Sequence, residues 1–214
     1  GSADIEAAFD PESSPASGRA WRLEVSGLLG GHSASMIGSG RANAILLAAR
    51  FLHGLGNVRV RSISAGSAPN VIPASCEAVF LCDGDPRQAL ASFSDDVRMR
   101  YGDSDPGITM EMSESDGDGT AWTCEATSRI LDAILSCPDG PLERDAYGVR
   151  TSSNIGIART VNGRLRVVCK PRSSDLEELN GLIGRIVGTL SSAGAKTACS
   201  EVFPPWRERE DSIW

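Results

Sequence analysis

From Ala20 onward the chain switches between two periods of hydrophobicity. Trp21, Leu23 and Val25 alternate with Arg22 and Glu24, a period of two that predicts a half-buried strand running into Gly27. Ala42, Ile45, Ala49 and Leu52 then recur at helical spacing, with Ser39 as the expected cap and Gly54 to Gly56 as the stop. Val58 and Val60 alternate with Arg59 and Arg61 in a strand expected to reach Ser64. Cys76, Ala78 and Phe80 share one face of the next, and the loop from Gly66 to Pro73 between them carries Asn70. Asp85-Pro86 predicts the start of a helix whose face is Leu90, Phe93, Val97 and Tyr101. Ile108, Met110 and Met112 alternate in a closing strand.

After a turn-rich acidic stretch, Ser113 to Gly119, a similar order returns. Trp122, Ala126, Ile130 and Ala133 mark a helix face that Pro138 stops. Arg150 to Arg159 alternates as one strand, Asn162-Gly163 is a strong hairpin signal, and Leu165 and Val167 lie in the returning strand. Ser174 and Glu177 have the spacing of a capping box before Leu179, Ile183, Ile186 and Leu190, and Lys196 to Phe203 reads as a last strand. These two orders predict an α+β fold of two ferredoxin-like halves, about 20–113 and 120–206, with antiparallel sheet and helices on one face. Residues 1–19 are expected to be a tag scar, Gly1-Ser2, and an irregular or partly extended lead-in; 207–214 are a charged tail.

Composition narrows the function. With 41% hydrophobic residues the chain can bury a sizeable core, whereas a net charge of -7 and dispersed Lys and Arg argue against a nucleic-acid partner. No apolar run approaches the ~18 residues of a membrane span and no signal-peptide pattern opens the chain, so neither membrane nor export is indicated. The six cysteines, without a Cys-x-x-Cys pair, are expected to be reduced residues of a cytoplasmic protein.

Several candidate chemistries fail on context. Glu114, Asp116, Asp118, Gly119 and Glu125 match the spacing of a calcium loop, but Gly107 to Met112 reads as strand where that loop needs a helix. The two histidines and scattered cysteines give no zinc spacing, and Gly31-His32-Ser33-Ala34-Ser35 ends in serine where a nucleophile elbow needs glycine. What stands out is Ser26 to Asn43: Gly30 and Gly31 turn the chain and leave His32 at a bend. His53, at the end of a helix, is expected to be solvated or to face the helix dipole.

Gly27-Leu28-Leu29-Gly30-Gly31-His32-Ser33 with Gly40-Arg41-Ala42-Asn43-Ala44, then Asn70-Val71-Ile72-Pro73, Thr151-Ser152-Ser153-Asn154-Ile155-Gly156, Arg172-Ser173, and Ala193 through Trp206, resembles the inserted lid domain of the dinuclear-zinc peptidases. The likeness runs over about residues 20–206; Met36, Gly38, Pro69 and Arg150 depart from the pattern. It implies an excised lid whose two zinc ions sit in a catalytic domain outside this chain, with no cofactor in the chain itself. The resemblance assigns His32 a catalytic role, stabilising an oxyanion, and makes Asn70 and Arg172 substrate-binding. The implied partners are the parent catalytic domain, a dipeptide substrate and a second copy in a homodimer. The competing reading is a stand-alone ligand-sensing or dimerisation module, since such strand and helix units host many functions.

Overall fold

The computed structural model describes residues 1–205. The strands and helices, in order, are β1 (Ile5–Phe9), β2 (Ser13–Ala16), β3 (Ala20–Ser26), β4 (Gly31–His32), α1 (Ser33–Met36), α2 (Ala44–Gly54), β5 (Val58–Ala65), β6 (Val71–Ile72), β7 (Cys76–Cys82) and α3 (Arg87–Tyr101). Then come β8 (Thr109–Ser115), β9 (Gly119–Trp122), α4 (Cys124–Ser136), β10 (Gly140–Asp145), β11 (Gly148–Ser153), β12 (Ile155–Val161), β13 (Arg164–Cys169), β14 (Arg172–Ser173), α5 (Leu176–Ser192) and β15 (Lys196–Cys199). A single turn of 3₁₀ helix, Ile37–Ser39, follows α1.

One eight-stranded sheet organises the molecule, in the order β15-β1-β13-β12-β5-β7-β3-β8, and its strand pairs are antiparallel. Alternation fixes which side faces inward. Trp21, Leu23 and Val25 are buried and Arg22 and Glu24 are exposed, while Ile5, Ala7 and Phe9 do the same work on β1. These residues share one core with Ile45, Leu47 and Leu52 of α2, Leu90 and Val97 of α3, Ile130, Leu131 and Ile134 of α4, and Leu182, Ile186 and Leu190 of α5. The predicted α+β class with helices packed on an antiparallel sheet is thus what the chain adopts.

Local signals set the element ends, in two places displaced from where they were expected, by four residues at α2 and by one at α5. Asn43, not Ser39, caps α2 by accepting from the Ile45 amide at 3.0 Å, and Ser39 instead closes the 3₁₀ turn on Met36. Asp175, not Ser174, caps α5 by accepting from the Glu178 amide at 2.9 Å. The Asn162-Gly163 hairpin forms between β12 and β13, with φ of 51° and 78° at the two turn residues, the left-handed pair that suits a tight hairpin.

Two expectations are overturned. The lead-in is not irregular: β1 lies inside the main sheet between β13 and β15, and β2 pairs with β9. Its short apolar alternation, Ile5, Ala7 and Phe9, is that of a strand buried on one side. Nor is Arg150 to Arg159 one strand. It breaks at Asn154, sending β11 into a small sheet with β10 and β14 and β12 into the main sheet. Phe203 bridges to Ser2, the calcium-like carboxylate Glu114 lies within β8 opposite Trp21 and 3.7 Å from Arg19, and the 207–214 tail, with Trp206, lies outside the described residues.

Candidate functional site

The loop between β3 and α2 carries His32, and several constraints shape it. Gly30 and Gly31 take φ of 57° and 114°, so the two-glycine turn expected from the sequence is present. Gly31 and His32 then pair, antiparallel, with Ile72 and Val71, and the Ser33 amide donates to the Asn70 carbonyl at 2.8 Å. From below, the buried Asp105 carboxylate accepts from the Leu29 amide at 2.8 Å and from the Ala42 amide at 2.7 Å, one oxygen for each end of the loop. Arg41 donates to the Gly30 carbonyl, and Ser104 Oγ to the Gly40 carbonyl at 2.9 Å.

His32 itself is exposed and N-caps the short α1: its Nδ1 accepts from the Ala34 amide at 3.3 Å. An imidazole nitrogen that accepts carries no proton, so the neutral ring is protonated on Nε2. Nε2–H has no acceptor among the described residues and is free to donate outward. Asn70, on the paired loop, is part-exposed, and its side-chain amide makes no hydrogen bond among the described residues.

Arg172 belongs to a different small sheet. It sits on β14, opposite Ser152 of β11, and Asn154 two residues on is paired through its backbone with Lys170. Partial burial pushes the guanidinium pKa down from its usual value, with the Asp4 carboxylate opposing. Its buried Nε–H has no partner among the described residues. A cation that has lost part of its hydration gains most from an anion that reaches its remaining N–H groups. The strand end is braced by Glu178, which accepts from Thr151 at 2.7 Å, from Ser173 at 3.2 Å and from Arg150.

The structure therefore places His32 on the β4–β6 ladder and Asn70 in the turn that leads directly into β6. Arg172 it places on β14, in the separate β10-β11-β14 sheet, with no hydrogen bond to either. None of the three lines the cavity of about 710 Å³ between α4 and α5, around Glu125, Arg129, Asp132 and Thr189. His53 is not simply solvated, since its Nε2 lies 2.9 Å from Asp132 of α4. Asp105, Asn154 and Asn43 were not singled out in the sequence. Asp105 lies in a turn-rich stretch that signals only a loop, whereas Asn43 and Asn154 lie inside motif segments whose individual roles the pattern does not separate. Asn43 donates to the Ile155 carbonyl at 3.0 Å and to Asp139 at 3.2 Å, and burial pushes the Asp139 carboxyl up to about 6.

Residues 23–117, from Leu23 within β3 to just past the end of β8, match the family model described as a peptidase dimerisation domain. The chain as a whole is similar to the cytosol non-specific dipeptidase of Escherichia coli K12, 24% identical over 95% of this chain and 44% of that protein. It is also similar in structure to the aminoacylhistidine dipeptidase of Vibrio alginolyticus, with a TM-score of 0.89 and 26% identity, over 100% of this chain and 46% of that one. The chain thus spans less than half the length of either relative.

Proposed function

We propose that the chain is the lid domain of a zinc-dependent dipeptidase, in which His32 donates from Nε2 to the oxyanion formed at the scissile carbonyl while Asn70 and Arg172 hold the substrate. The observation that carries this reading is the hydrogen bond from the Ala34 amide to His32 Nδ1. With Nδ1 engaged by the Ala34 amide, the remaining N–H is the donor an oxyanion requires, on a loop fixed at both ends before substrate arrives. A partly desolvated Arg172 suits a substrate's terminal carboxylate, gripped through two parallel bonds.

The described residues hold no cluster of three or more His, Cys, Asp or Glu suited to a metal ion. The two zinc ions of the proposed parent would belong to its catalytic segments, outside this chain, where they would activate the attacking water. The lid's contribution is to donate, orient and exclude water. On this reading the isolated chain neither binds zinc tightly nor hydrolyses dipeptides. We further read each four-strand group with its helices as a ferredoxin-like unit. The second copy of a homodimer then docks away from the β5 edge, which β12 of the same chain already pairs. The compartment proposed is the cytoplasm, where the Escherichia coli relative's name places that protein.

Steady-state kinetics of the full-length protein test the assignment. His32→Ala is expected to lower kcat about a hundredfold or more with a smaller effect on KM, because the oxyanion exists only near the transition state. Arg172→Ala is expected to raise KM strongly, and amidated dipeptides should be nearly indifferent to it. An unchanged kcat in His32→Ala would remove the oxyanion role.

A further inference from the structure

Asn154 is the residue at which the expected single strand divides between two sheets, and almost all of its hydrogen-bonding capacity is spent. It is 1% exposed. Its backbone N–H and C=O both pair with Lys170, at 3.2 and 2.8 Å. Its side-chain amide donates to the Pro69 carbonyl and to the Val71 carbonyl, both at 2.9 Å, the two carbonyls that flank Asn70. The adjoining surface is shaped for the same loop. A Cβ on Gly156 would lie 2.5 Å from the Pro69 oxygen and 2.8 Å from the Ala68 oxygen, so a residue without one lets the loop backbone settle directly on β12. On the far side of the loop, Val71 pairs with His32 and the Asn70 carbonyl receives the Ser33 amide. On the near side, Ser152 is paired with Arg172.

We propose that Asn154 is a positioning residue for substrate binding: it grips the loop on both sides of Asn70 and fixes where that side chain stands, a role that rests on the substrate-holding function proposed above for Asn70. The residue type follows from the geometry. Two carbonyl oxygens need two N–H donors one carbon beyond Cβ, which asparagine supplies. Aspartate would set a carboxylate against two carbonyls, and glutamine would overreach by a methylene. The buried Oδ1, which accepts nothing from the described residues, is a cost accepted for placing the two donors.

Two measurements on Asn154→Leu, which keeps the volume and removes the donors, separate positioning from general support. In this chain, hydrogen exchange at the Ser33 and Val71 amides is expected to accelerate about tenfold or more, while amides of α5 keep their protection. In the full-length protein, KM for Ala-Ala and Ala-His dipeptides is expected to rise about tenfold with a smaller fall in kcat, and that rise is expected to shrink below about twofold when Asn154→Leu is added to Asn70→Ala. Unchanged exchange at Ser33 and Val71 would overturn the proposal, as would an undiminished KM effect in the Asn70→Ala background. If Asn70→Ala alone leaves KM unaltered, the substrate reading falls and takes the functional half of the proposal with it; the exchange data judge the grip itself separately. Should Asn154→Leu fail to fold, Asn154→Ser, smaller and too short to reach both carbonyls, answers the same questions.

Discussion

The two four-strand groups of the main sheet follow the same order but are built differently. In β5-β7-β3-β8 the strands, with α2 and α3 between them, come from one continuous stretch, Ala20–Ser115. In β15-β1-β13-β12 the first strand lies before that entire stretch, and the helix that follows it in the unit, α4, begins only at Cys124. Between first strand and first helix, one group therefore holds the His32 loop and the other holds the whole of the first group. Loop closure grows slowly with length, so an insertion of this size is tolerated where the strands around it are paired. The residues of the proposed site divide along a similar line: His32 and Asn70 lie on loops of the continuous group, whereas Asn154 precedes β12 of the divided one and Arg172 lies on β14, paired with β11. The two groups adjoin at β5 and β12. There the ladder has only two residue pairs, Ala158 with Ala65 and Arg159 with Ser64. Side chains add to it, as where the Ile63 amide donates to Thr160 Oγ1 at 3.0 Å.

The largest expected effect tests whether the divided group depends on its distant strand. Ile5 is fully buried between β13 and β15, so Ile5→Ala should cost about 2–5 kcal/mol in denaturant unfolding, as much as Leu23→Ala in the continuous group. A loss within about 0.5 kcal/mol, the surface-residue range, would return β1 to the status of a lead-in. Next comes Asp105→Ala, which leaves the Leu29 and Ala42 amides without their acceptor. It should lower stability by about 2–3 kcal/mol and raise exchange at those two amides first.

A smaller effect depends on pH. Burial raises Asp139 from 3.8 to about 6, so its protonated form is favoured by folding. The resulting stability is complete below about pH 4 and lost as pH rises through about 6, a difference of about 1–3 kcal/mol. Thermal unfolding of Asp139→Asn across pH 4 to 7 should lack that decline; an identical pH slope in both proteins would assign it elsewhere. The smallest is at the meeting of the groups. His53 and Asp132 are both about half exposed, so His53→Ala should change stability by less than about 1 kcal/mol, and less still in high salt.

Elements set by neighbours in sequence were legible. The helix opened by Asp85-Pro86, the Asn162-Gly163 hairpin, and the amphipathic face of Leu179, Ile186 and Leu190 each rest on contacts within a few residues, where period and turn chemistry act directly. His32 was legible too, because two adjacent glycines announce a bend and histidine is rare in this chain. Asp105 was not. Its bonds to Leu29 and Ala42 span 76 and 63 positions, and nothing near it in sequence marks a carboxylate that will be buried.

By itself, then, the sequence determined most element types from Ala20 onward, the α+β class and the loop that presents His32, since local backbone preferences and hydrophobic period are properties of short segments. Only the tertiary structure decided that Ile5–Phe9 would fill a place between strands more than 150 residues away, that Asn154 would divide one apparent strand between two sheets, and that the His32 and Asn70 loops would be held as a pair. A strand's partner and a buried polar group's acceptor are fixed by which distant groups remain unpaired when the core closes, and that is settled by the whole chain at once.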